Sequence, residues 1–146
     1  MDIDRNGLDV LSREECLSLL RRAHIGRVAI SVDALPAVLP VNFTILGEDV
    51  VFRTNPGAKL DAALANNVVA FEVDEVDPVY QTGWSVLVQG MAREVIEPED
   101  VKVVSKAPLR AWAGNGRDRF VRIPTHHLSG RRIRPHTAMA AEGGAS

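Results

Sequence analysis

The chain has 146 residues, 46% of them hydrophobic and 25% charged, and a net charge of −2. That size and balance fit one soluble globular domain, and they exclude a surface built as a whole to attract nucleic acid or an anionic membrane. The single cysteine, Cys16, excludes an internal disulfide and a multi-cysteine zinc site and fits a cytoplasmic location.

The N-terminal "MDIDRNGLD" is too acidic for a signal peptide, and no apolar run reaches the ~20 residues of a membrane helix. In "LSREECLSLLRRA", Ser12 followed three residues later by Glu15 is a capping-box pattern, with Leu11 and Cys16 placed for the flanking hydrophobic staple. Cys16, Leu19, Leu20 and Ala23 recur at helical spacing, which predicts a first helix with one face on the core and Cys16 as a small buried hydrophobe. After Gly26, "RVAISV" and "AVLPVNFTIL" read as two strands joined by a turn at "DALP". Pro40 inside the second points to an edge or a bulge, because proline cannot donate to a ladder.

"VVFRT" reads as the third strand, "GAKLDAALANN" as a short helix closed by Asn66 and Asn67, and "VVAFEVDEV" as the fourth strand. "WSVLVQGMAREVI" reads as one long strand with a bulge or bend at Gly90. "EPEDVKVVSKAPLRAW" opens a third helix with Pro98 in its first turn and acidic residues that favour the helix dipole; Pro108 ends or kinks it. "RFVRI" is the last core strand, "THHLSGRRIRP" an extended basic segment, and "HTAMAAEGGAS" a small-residue tail expected to be disordered. Six short strands in hairpin order with three helices predict a largely antiparallel barrel or sandwich with helices at its ends.

The chain lacks G-x-G-x-x-G, a Walker lysine motif, H-E-x-x-H and G-x-S-x-G, so the Rossmann, P-loop, zincin and hydrolase readings lose support. Arg53, Thr54 and Lys59 remain. If a strand ends near Thr54 and a helix begins near Gly57, the first helical amides and two cationic side chains converge on one anion, and a phosphate fits there. Spacing alone leaves open a plainer reading, in which Arg53 and Lys59 are solvated charges flanking a turn. His126 and His127 are adjacent, point to opposite faces on a strand, and do not chelate one metal together, so no metal is expected.

"PVNF" at 40–43, "VVFRTNPGAKLDAAL" at 50–64, "VAFEVDE" at 69–75 and "GWSVLVQGMA" at 83–92 together resemble the pyridoxamine 5′-phosphate oxidase-like flavoproteins. The branch is that of the flavin-nucleotide-binding proteins, which is also similar to the nitroimidazole-reductase family. The resemblance runs from the first helix to "GRRI" at 130–133. It implies a mainly β fold with flanking helices, a six-stranded antiparallel split β-barrel of the FMN-binding type. It also implies a homodimer with cofactor sites shared between subunits. Residues 1–10 are then an N-terminal extension, 11–134 the flavin-binding domain and 135–146 a tail.

By the same resemblance, Arg53, Thr54 and Lys59 bind the FMN phosphate, Pro40, Val41, Asn42 and Phe43 run beside the flavin ring, and Trp84, Ser85 and Val86 line the groove. A flavin needs a flat apolar slot, a few partners at its pyrimidine edge and cations at its phosphate. Asn42 offers both a donor and an acceptor, and Ser85 does so more modestly. Trp84 is open to two readings, a wall of the slot or a core tryptophan, and Trp112 to two more, a cover over a neighbour's flavin or a helix-end packing residue. For Arg131, Arg132, Arg134 and His136 the readings are a solvated face, a phosphate contact across the dimer, or a nucleic-acid patch; no nucleic-acid or membrane partner is expected.

The expected function is that of an FMN-dependent oxidoreductase exchanging hydride with a small acceptor through the flavin. The alternatives are an F420-dependent reductase on the same fold and a flavin carrier without turnover. The C-terminal substrate-phosphate motif of true pyridoxamine phosphate oxidases has no clear match in "GRRIRP", so the substrate stays open.

Overall fold

In the computed structural model, residues 7–54, 64, 66–109 and 119–134 are described. The expected helix at 57–67 lies outside them except for Leu64, Asn66 and Asn67, as do Lys59, Trp112, His136 and the 135–146 tail. Among the described residues, nine strands and two helices follow one another in the order β1 (Asp9–Val10), α1 (Arg13–Arg22), β2 (Ile25–Val32), β3 (Leu35–Leu46), β4 (Asp49–Thr54), β5 (Val68–Asp77), β6 (Thr82–Met91), β7 (Arg93–Glu94), α2 (Pro98–Ser105), β8 (Arg119–Ile123) and β9 (His127–Ile133).

The strands form one curled sheet in the spatial order β1-β9-β6-β5-β2-β3-β4-β8-β7, with every pair antiparallel. β6 runs through Ala92 into β7, which pairs with β8, so the chain itself carries the sheet round from one half to the other. The count of nine corrects the six expected. β1 and β7 are two-residue ladders too short to leave a periodic signal, and the expected single strand "WSVLVQGMAREVI" is two strands parted at Ala92. The basic segment is a full strand, β9, paired with β6 and β1, and its short alternation of Leu128 and Gly130 is hidden in the sequence among arginines.

Local chemistry accounts for the elements. At α1 both halves of the capping box are made: the Glu15 amide donates to Ser12 Oγ at 3.2 Å, and the Ser12 amide donates to Glu15 Oε1 at 3.1 Å. Those bonds hold the Glu15 carboxyl below the usual carboxylate range. Leu11 and Cys16 are both buried, as a staple requires, and burial pushes the Cys16 thiol up, which suits a packing residue rather than a nucleophile. α2 has Pro98 in its first turn with Glu99 and Asp100 beside it, and it ends at Ser105, ahead of Pro108. Asn66 has φ of 57°, in the left-handed region that asparagine tolerates.

Alternation along the strands sends Val28, Phe43, Phe52, Phe71, Val86 and Ile123 into one core beneath α1. Phe43 and Phe71 meet edge to face with centroids 4.9 Å apart. Gly90 serves close packing: a Cβ there would lie 2.8 Å from the Pro124 carbonyl oxygen. Gly26 has the same function against the Phe71 ring, where a Cβ would overlap Cζ and Cε2.

Because that ring is held by Phe43 on its other side, Gly26→Ala is expected to lower stability by roughly 1–3 kcal/mol, the usual cost of overpacking. A urea midpoint equal to that of the parent chain would contradict the packing described.

Candidate functional site

β3 is the strand that changes company. From Leu35 to Asn42 it pairs with β2, and from Phe43 to Leu46 it pairs with β4. β4 continues past that point and pairs Arg53 with Phe120 and Thr54 with Arg119 of β8. The two strands therefore diverge at the Phe43–Phe52 pair and open a fork, with Pro40, Val41 and Asn42 on one arm and Arg53 and Thr54 on the other. Pro40 lies where β3 has a strand neighbour on β2 alone, which is the edge position its missing N–H requires.

The side chains of the fork split by parity. Val41 and Phe43 are 5% and 3% exposed and belong to the core, so any contact they offer a ligand comes from their backbone. Pro40 and Asn42 lie on the opposite face, and Asn42 stands across from the exposed Ile25. Thr54 is buried on the core side of β4. Arg53 points to the other side, where its Nη1 donates to the Leu109 carbonyl at 2.7 Å and its guanidinium lies 5.9 Å from the centre of the Phe120 ring. The chain that leaves α2 is thus tied to this arm of the fork. A cation, a hydroxyl and an amide at a gap between two strands can take a phosphate at one end and a planar heteroaromatic edge at the other.

Trp84, Ser85 and Val86 lie elsewhere. They are on β6, which β5 and β2 separate from β3, so three inter-strand spacings put them about 14 Å away within the sheet. Val86 is fully buried and Trp84 packs partly buried against the core, whereas Ser85 is on the same outer face as Asn42.

That outer face carries a group the sequence reading missed. Arg27 Nη1 lies 3.2 Å from Glu72 Oε1 and 2.7 Å from Asp74 Oδ2, a single nitrogen shared by two carboxylates of the next strand. Burial, reinforced by the neighbouring Asp74, pushes the Glu72 carboxyl up to about 7 against the pull of Arg27. The signal was legible as charges alternating with apolar residues in "GRVAI" and "FEVDE", but cross-strand register is needed to bring them together.

The C-terminal arginines are engaged locally. Arg134 Nε lies 2.8 Å from Asp9 Oδ1, Arg132 lies 3.8 Å from Glu15, and Arg131 donates to the Gly130 carbonyl. Arg132 and Glu15 also border an open surface hollow of about 270 Å³ beside α1, well away from the fork and mixed in charge. Among the described residues, no helix is long and apolar enough to cross a membrane.

The contact with Leu109 gives Arg53 a structural function independent of any ligand. Arg53→Ala is expected to cost the free protein about 1–3 kcal/mol, the usual loss of a hydrogen bond from a charged donor. An unchanged denaturation midpoint would mean that the guanidinium holds nothing in solution.

Comparison with known proteins adds four findings. Residues 12–132 match the family described as pyridoxamine 5′-phosphate oxidase. The chain is 38% identical over 128 residues to the uncharacterised protein Rv0080 of Mycobacterium tuberculosis, covering 84% of each. Its fold superposes with TM-score 0.76 on an FAD-binding protein from Mycobacterium smegmatis, at 37% identity and covering 86% of this chain and 98% of that one. It also superposes on an FAD-binding protein from Mesorhizobium loti with TM-score 0.69, at 25% identity and covering 87% of this chain and 99% of that one.

Proposed function

The chain belongs to the pyridoxamine 5′-phosphate oxidase family, and from that premise we propose that it is a flavin-binding protein of the split-barrel type. The observation that carries this reading is the fork between β3 and β4, with Asn42 on one arm and Arg53 and Thr54 on the other. Lys59, five residues beyond Thr54, adds a second cation for the phosphate. The donor set fits FMN: cations and a hydroxyl for the phosphate, the Asn42 amide for the pyrimidine edge, and strand backbone along the ring. The two FAD-binding relatives favour a groove that also admits the larger dinucleotide, since both flavins share the isoalloxazine ring and the first phosphate.

When bound, the flavin supplies two-electron hydride chemistry toward a small acceptor. The protein orients the ring, anchors the phosphate and excludes water from one face, and the proposed activity is that of an oxidoreductase. β6 is three strands from the fork in its own chain, and this reading brings Ser85 to the site across a subunit boundary.

We propose that a second copy supplies that boundary by packing on the outer face of β3, β2, β5 and β6. Ile25, Val38, Val68, Val76, Leu87 and Met91 are between 36% and 72% exposed, and all lie on that face. So many exposed apolar side chains on one face of a sheet favour an interface, and the Arg27, Glu72 and Asp74 cluster lies among them.

Purified protein is expected to be yellow and to release FMN or FAD, identified by absorbance and mass. Thr54→Val with Lys59→Ala is expected to weaken flavin binding at least tenfold while leaving the fold intact, about the loss of one charge-assisted hydrogen bond. A colourless protein that takes up neither FMN nor FAD would overturn the reading, and release of F420 would assign the deazaflavin instead. Tight flavin binding with no reduction by NADH or NADPH would make it a carrier.

A further inference from the structure

The outer face is largely apolar, yet a charged group is set in it. On β5, Glu72 and Asp74 sit two residues apart on the same face, and both reach one nitrogen of Arg27. One guanidinium against two carboxylates leaves this cluster one negative charge in excess when both acids are ionised. The groups facing Glu72 can be named strand by strand. β2 presents Arg27 opposite it; β6 presents the uncharged Ser85, Leu87 and Gln89; β5 adds Asp74 and the uncharged Ala70. One strand further out, β9 presents Arg131 opposite Ser85 and His127 opposite Gln89. Arg27 is the cation whose attraction acts on the Glu72 carboxyl.

We propose that Glu72 is a proton-operated control on self-association, so that the homodimer inferred above tightens when Glu72 takes up a proton and loosens when it gives that proton up. This rests on the reading of the outer face as a two-fold interface. Bringing two copies together removes both clusters from water, and an uncompensated carboxylate is costly to desolvate. With Glu72 protonated, Arg27 and Asp74 form a neutral ion pair and the Glu72 hydroxyl donates to the Asp74 carboxylate, so the cluster enters the interface without net charge. The sign follows from the free chain, in which burial and Asp74 already hold this carboxyl near 7. A group that must be protonated in the complex favours association below that value and opposes it above. Because the flavin site draws Ser85 from the partner, cofactor retention follows the same dependence.

The test is sedimentation equilibrium of the whole chain at about pH 6 and about pH 8, at constant ionic strength, for the parent and for Glu72→Gln. With up to one proton per protomer linked to association, the parent dissociation constant is expected to rise on the order of tenfold to a hundredfold from the lower to the higher pH. Glu72→Gln, neutral throughout, is expected to dimerise with equal strength at both. A parent dimer of pH-independent strength, or a Glu72→Gln variant that keeps the parent's slope, would overturn this inference and leave the dimer standing. A monomer at both pH values and at all concentrations would overturn the dimer itself, and this inference with it. Circular dichroism of the variant separates lost folding from lost association.

Discussion

Phe43 is the last residue at which β3 touches both of its neighbours. Its ring meets Phe71 in the core, its amide donates to the His24 carbonyl at 3.1 Å, and it pairs with Phe52 of β4. Before it, β3 belongs to β2 alone; beyond its partner, β4 belongs to β8. A continuous antiparallel ladder would satisfy all of these backbone groups and leave nowhere for a ligand. The buried aromatic pair instead fixes where the ladder stops, and the fork that results places Asn42, Arg53 and Thr54 around one gap. The rest of the molecule supports that point: α1 seals the core behind it, and the chain that leaves α2 is held to Arg53 at Leu109.

Much of this was legible in the sequence. The capping box at Ser12, the strand around Arg53, the Pro98 helix start and the edge position of Pro40 each follow from a local rule about backbone donors, and each is found. What escaped was non-local or short. β1 and β7 exist only because β9 and β8 lie beside them, and β9 is masked by its arginines. The spacing of Arg53, Thr54 and Lys59 suggested an anion cradle and the resemblance set residues 40–43 beside the flavin ring, but neither told that Val41 and Phe43 turn into the core while Pro40 and Asn42 turn out. Parity settles this, and parity is certain only when the register is known.

The outer face follows from the same alternation. Every residue that points away from the core on β2, β3, β5 and β6 contributes to one surface, so its apolar side chains and its Arg27 cluster are consequences of a single pleat. Within one protomer Ser85 stands on that surface three inter-strand spacings, about 14 Å, from the fork.

The claim that the flavin site is shared between copies is tested most directly by mixing two defective variants. One carries Thr54→Val with Lys59→Ala at the fork, and the other carries Ser85→Phe on β6, with sedimentation used to establish that each remains dimeric. Each alone is expected to bind flavin more weakly than the parent chain. Mixed after partial unfolding and refolding together, they are expected to recover flavin binding, because a mixed dimer contains one site with an intact fork and an intact partner strand. Absence of any recovery in mixed dimers would contradict the account and return the whole site to a single protomer.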